Sequence, residues 1–477
     1  MFKKIGFLIA SVLLLATIVS ADSIAELPRT SVITTAPVQT GQVITVAAGG
    51  NFQAALNVAA PGDTIELQAG ATFTGTFAFN NKPFTGQWIV IRSSRYAELA
   101  AGRTSPSDAS KMAKLIPTDT GQVLDLYPTS NGFTKAHNLR FVGVEIAPNP
   151  NYSTNFNLIK LGTNGSWQTS AAQAPEDITF DRCYIHGLTD RDAFRGVNIC
   201  ATRVAFVGCY VSEFHVHGQD AQAILVGNAP GPILIDNCYL EASGENFMSG
   251  GLDVRIQGLV PADITITRST FFKPLAWQGV WTTKNSFELK NAQRVLVEDC
   301  VFENNWVDAQ SGIAIQFTPR NQDGASPWSA VRDVTFQNNI IRNTPSAFSI
   351  LGADDIHPSG LAERIVIRGN RIEGLNAPSG GGRFLQVLGG SNIVVQNNSA
   401  ISVYTVTPVV FDVAPVTGFV FTDNIFSHGD YGVRGSGTGE GASALDYYAP
   451  GYVFLRNVLI GGAAYSQFYP TGNYFTN

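Results

Sequence analysis

The stretch Ile178-Thr179-Phe180-Asp181-Arg182-Cys183-Tyr184-Ile185 decides the fold, because it returns. Its first, third and eighth positions are apolar and its sixth is small. The pattern repeats as VAFVGCYV from Val204, ILIDNCYL from Ile233, ITITRSTF from Ile264 and VLVEDCVF from Val295. LRFVGVEI from Leu139 precedes it. VTFQNNII from Val334, IVIRGNRI from Ile365, IVVQNNSA from Ile393, FVFTDNIF from Phe419 and VFLRNVLI from Val453 follow, making eleven copies. The sixth positions are Val144, Cys183, Cys209, Cys238, Ser269, Cys300, Asn339, Asn370, Asn398, Asn424 and Val458, spaced 26 to 39 residues apart. Self-similarity at such a period marks a solenoid.

Alternating apolar residues give each copy a strand with one buried face, then a tight bend and a short strand. A further short strand lies between copies: NLIKL from Asn157, GVNI from Gly196, AILV from Ala223, GLDV from Gly251, SFEL from Ser286 and AFSI from Ala347. One unit cannot bury its apolar face alone, so it stacks on its neighbours. The pattern predicts an all-β protein, a parallel β-helix of about 11–12 coils. The general crossover preference makes it right-handed. Equivalent residues then stack at roughly 4.8 Å. The Cys positions become buried packing residues, and Asn339, Asn370, Asn398 and Asn424 an amide ladder.

Residues 49–60 (GGNFQAALNVAA) have helical spacing, and Pro61-Gly62-Asp63-Thr64-Ile65-Glu66-Leu67 turns into a strand. A solenoid end needs a cap, and this helix supplies one. A helix followed by PGDTIEL and a Gly-rich strand (Ala69 to Phe73) resembles the first coil of the pectate-lyase-like superfamily. The resemblance covers residues 41–477 and implies a right-handed parallel β-helix and, for function, a carbohydrate-active protein. Residues 93–134 break the rhythm and read as a loop inserted in the single domain 41–477; longer intervals place loops at 147–176 and 303–331.

Lys3 and Lys4, the apolar run Ile5–Val19 and Val19-Ser20-Ala21 describe a secretory signal peptide cleaved after Ala21. Residues 22–40 form a linker. The expected location is secreted or periplasmic, with no membrane contact after cleavage. Export permits disulfides, but five cysteines is an odd number and four fall on the repeat. The chain is 44% hydrophobic, which excludes disorder. Its net charge of -6 argues against nucleic acid as a partner. The expected partner is a polysaccharide, and a capped solenoid suits a monomer.

In GLDVR, Leu252 and Val254 are read as pointing inward, which puts Asp253 and Arg255 outside. In SFELK, Glu288 and Lys290 point outward by the same rule. Stacking should set Asp253 beside Glu288 and Arg255 beside Lys290, with Ala314 or Gln316 and then Ser349 further along and Leu225, Asn198 and Lys160 on the earlier side. The preceding turns supply Asp220, Glu245 and Lys284. This set suits elimination across a uronic acid. Ca²⁺ on Asp253, Glu288, Glu245 and Asp220, or basic residues, neutralises the sugar carboxylate. Lys290, Arg255 or Lys284 serves as the catalytic cation or base. Trp277, Trp281 and Trp306 offer faces for sugar rings, and Arg320 and Gln316 offer polar contacts. His215 and His217 read as hydrogen-bonding residues. Asp354, Asp355 and His357 read as a loop, because the further segments of a polygalacturonase-like site are absent. Two rival readings use the same scaffold: a non-catalytic glycan-binding or structural surface protein, and a glycoside hydrolase with two carboxylates.

Overall fold

The computed structural model describes residues 25–127, 135–375, 381–402 and 404–477. The expected signal peptide lies outside them, as do residues 128–134 of the expected loop. Three parallel sheets, of fifteen, fourteen and twelve strands, wrap one right-handed tube. In a typical coil, Glu176–Asp181 lies in the first sheet, Tyr184–His186 in the second and Arg195–Ile199 in the third. Each strand pairs in register with its equivalent in the next coil; Ile178 faces Val204, which faces Ile233.

A single residue in left-handed conformation makes the bend between the first two sheets. Gly143, Arg182, Gly208, Asn237 and Arg268 all have φ between 49° and 62°. The following side chain turns into the core. Cys183, Cys209, Cys238 and Cys300 are buried and free, as is Cys200. The thiols of Cys209 and Cys238 point at the carbonyls of Phe180 and Phe206 in the preceding coil. From Cys300 onward the amides take over, each Asn serving the backbone of the coil before it. Phenylalanines stack inside: Phe141, Phe180 and Phe206 lie parallel at 4.8 and 4.9 Å.

The cap is the helix Phe52–Val58. Asn51 accepts from the Ala54 N–H at its start, and Phe52, Ala55 and Leu56 face the tube. Four expectations need correction. The ladder continues through Asn457 and Asn473, so Val458 sits one place past the ladder position in the last copy; Val453 pairs with Val420, not Phe419. Residues 93–134 are not one loop, since Ala113–Ile116 and Leu124–Asp125 are ordinary rungs of the second and third sheets. The third-sheet strand before Phe287 is Glu245–Ser249, not GLDV. Within the expected linker, residues 25–34 form a strap across the first sheet. Ala25 packs on Val366 and Val394, the amides of Glu26 and Arg29 donate to Asp333 and Asp263, and Thr34 accepts from Arg140.

Candidate functional site

The outward row of the third sheet runs Lys160, Asn198, Leu225, Met248, Glu288, Gln316 and Ser349. Met248, not Asp253, is the neighbour of Glu288. The strand ends at Gly250 and Gly251, whose φ values of 94° and 74° turn the chain outward. Asp253 therefore sits in a loop, where one carboxylate oxygen accepts from the amides of Asp323 and Ala325 at 3.2 and 2.7 Å. Arg255 is exposed in the same loop and does not line the cleft described next.

That cleft, of about 350 Å³, opens over the third sheet and is lined by Arg195, Asn198, Asp220, Gln222, Met248, Lys284 and Lys290, among others. Its floor is a column two residues before the core residues Val197, Ile224 and Phe247: Arg195 pairs with Gln222, and Gln222 with Glu245. The column is hydrogen-bonded along its length. Arg195 Nε donates to Gln222 Oε1 at 2.9 Å, and Gln222 Nε2 donates to Glu245 Oε2 at 2.7 Å. Lys284 Nζ lies 2.5 Å from Asp220 and 4.0 Å from Glu245 Oε1. Glu288 is buried, accepts from Thr318 and Asn285, and stands 3.6 Å from Lys290 Nζ.

Burial, then the nearby Glu288 and Asp220 carboxylates, push Glu245 up to about 7 against the pull of Lys290 and Lys284. Burial works to lower Lys284, but Glu245 and Asp220 outweigh it and raise it, so Lys284 is a fixed cation. Burial lowers Arg195 from its ordinary value.

Of the expected site residues, the cleft gathers Lys284, Lys290 and Asp220, with Glu245 and Glu288 beneath. It does not gather Asp253 or Arg255. Among the described residues no three acidic, His or Cys side chains converge as ligands of one cation. The four carboxylates expected to hold calcium are not gathered: Asp253 stands in a separate loop with one oxygen on backbone amides, and the others face lysines. Trp277, Trp281 and Trp306 form a buried cluster, each less than one-tenth exposed, so their faces are closed to sugar. Trp281 stacks on His215 at 3.8 Å. Gln316 donates to Gln310, and Arg320 is tied to Asp354 and Asp355. His215 and His217 hydrogen-bond to Glu213 and Asp192, as read.

Arg195 and Gln222 were missed. Each stands two residues before an inward apolar residue, as Glu245 stands before Phe247; placing the strand at GLDV hid the shared column.

No family model and no curated protein matches the chain. Solved structures do. A mutant tailspike protein of E. coli bacteriophage HK620, in complex with pentasaccharide, matches 87% of this chain and 60% of its own, at 12% identity and a TM-score of 0.50. The fold is thus a right-handed parallel β-helix. Pectate lyase Pel9A matches 76% of this chain and 79% of its own, with 12% identity and a TM-score of 0.37. A mannuronic acid specific family 6 lyase from human gut microbiota matches 92% and 82%, with 14% identity and a TM-score of 0.44. The chain spans 60% of the tailspike's length, and at this identity the likeness is one of fold.

Proposed function

We propose that the protein binds an acidic polysaccharide in the third-sheet cleft and cleaves it by β-elimination. The observation that carries this reading is the convergence of Arg195, Lys284 and Lys290 on one cleft, over carboxylates already held by lysines and hydrogen bonds. An anionic sugar entering the cleft meets cations. Elimination needs the uronate carboxylate neutralised so that the adjacent C–H becomes acidic. Arg195 and Lys284 supply that charge. Lys290, which lines the same cleft, is the base that takes the proton. The electron pair left behind forms the double bond as the C4–O bond breaks, and the leaving oxygen takes a proton from solvent. The tailspike solved with a pentasaccharide supports an oligosaccharide as a ligand for a scaffold of this fold. In the same reading the chain is exported to the periplasm or medium and works as a monomer.

The test is incubation with pectate, alginate and glycosaminoglycans, following the absorbance of unsaturated uronates. Turnover on one of them, lost in Lys290→Ala and retained in Arg255→Ala, is the expected result. Binding without turnover would leave a glycan-binding protein, and no binding to any of the three would end the proposal.

A further inference from the structure

Lys273 lies beneath the cleft and is completely buried. Its Nζ donates to three consecutive carbonyls, Ala242, Ser243 and Gly244, at 2.7, 2.9 and 2.7 Å. All three ammonium hydrogens are thereby used. Among the described residues no carboxylate comes within ion-pair distance of it. Its own backbone is fixed by Glu303, whose carbonyl accepts its N–H, and by the Asn304 side chain, which donates to its carbonyl.

The three carbonyls belong to the turn that enters the strand Glu245–Ser249. That turn is pinned from other sides as well. The Lys284 N–H donates to Ser243 O at 3.3 Å, and a Cβ on Gly244 would stand 2.4 Å from the carbonyl of Ala221. Asn246 donates to Leu240 and Phe272. A hydrocarbon side chain would fill the same space without desolvating a charge. What it could not do is draw three carbonyls, which repel one another, to a single point.

We infer that Lys273 is the positioning residue of the cleft: by gathering the carbonyls of 242–244 it sets Glu245 under Lys284 and Gln222, and so aims Lys284 and Arg195 at an anionic sugar. The binding half of the inference rests on the function proposed above; the placement of Glu245 and Lys284 does not. The electrostatics agree. Burial lowers Lys273 to about 7 against the upward pull of the Glu245 and Glu241 charges. Removing the ammonium therefore favours a neutral Glu245 and takes away part of what keeps Lys284 charged.

The experiment uses Lys273→Met and Lys273→Gln in the full chain, with two readouts. Acetylation of individual lysines by acetic anhydride, read by peptide mass spectrometry, reports Lys284 directly. Lys284 should label severalfold faster in Lys273→Met, while Lys111 on a distant coil is unchanged. Calorimetric titration with oligogalacturonate or oligomannuronate should show affinity weakened about tenfold, which is about 1.4 kcal/mol. Lys273→Gln keeps a carbonyl-binding donor and should fall between; it also carries the decision if the Met variant does not fold. A folded variant whose Lys284 labelling and affinity both match the parent overturns the inference. If the parent protein binds neither oligosaccharide, the proposed function falls, and the labelling still judges Lys273.

Discussion

Asn398 in the bend and Glu245 in the cleft are both fully enclosed, yet they are treated in opposite ways. Asn398 accepts from the N–H and side chain of Asn370 and donates to Ile367, Gln396 and Asn424. Glu245 has one carboxylate oxygen with no hydrogen-bond partner. Ser243, Asn246, Asn285 and His215, all in coils around the cleft, also keep an unpartnered buried atom, whereas the Asn ladder keeps none. A group left wanting in this way costs stability. In the bend polarity holds the coils in register; around the cleft part of it is left without a protein partner.

The sharpest way to break that contrast is Asn398→Leu. It strips an acceptor from two buried donors of Asn370, and the loss should be about 2–5 kcal/mol in chemical denaturation. A loss no greater than that of an exposed substitution would show that the ladder is decoration. Lys284→Met should do the reverse. Oligouronate affinity should drop by about 2–3 kcal/mol in calorimetric titration, while thermal stability moves less, because the short ion pair of Lys284 is with the partly exposed Asp220 and such pairs contribute about 1 kcal/mol.

Within the bend, Cys238→Ser refines the picture. Ser269 already holds this position, with its hydroxyl on the carbonyl of Thr267 at 2.9 Å. The exchange should therefore cost under about 1 kcal/mol in thermal unfolding. The smallest effect concerns the strap. Burial raises Asp263 and Asp333, but Arg294 and Arg364 and the strap amides of Arg29 and Glu26 outweigh it and hold both low. A carboxylate lowered in the folded state stabilises above its unfolded value and ceases to do so as the pH falls through its folded one. Hydrogen exchange at Glu26 and Arg29 should accelerate across that acid window and, once corrected for the intrinsic rise in exchange with pH, be unchanged from about pH 6 to 8.

The tube was legible because its repeat carries apolar alternation and a small residue at one fixed place, and both follow from burial. The charged wall was legible only in part. Asp253 and Arg255 alternate with Leu252 and Val254 as an exposed strand edge would, so they compete successfully with the true strand. Glu245–Ser249 is buried on both sides and shows no alternation to read. The Trp residues gave a composition signal without a direction, since whether an indole faces solvent or His215 depends on how two loops fold over each other. Lys273 was invisible for the same reason: a lysine among phenylalanines looks like a surface residue until three carbonyls are found around it.

The strap has a consequence for how the chain matures. Glu26 bonds to a residue 307 positions later, and Ala25 rests on coils further still. Ribosomes make residues 25–34 long before the surface they cover exists. Its first residues must wait, undocked, until the coils up to Val394 have wound, and their seating then closes the assembly as a latch that only a nearly complete tube can accept.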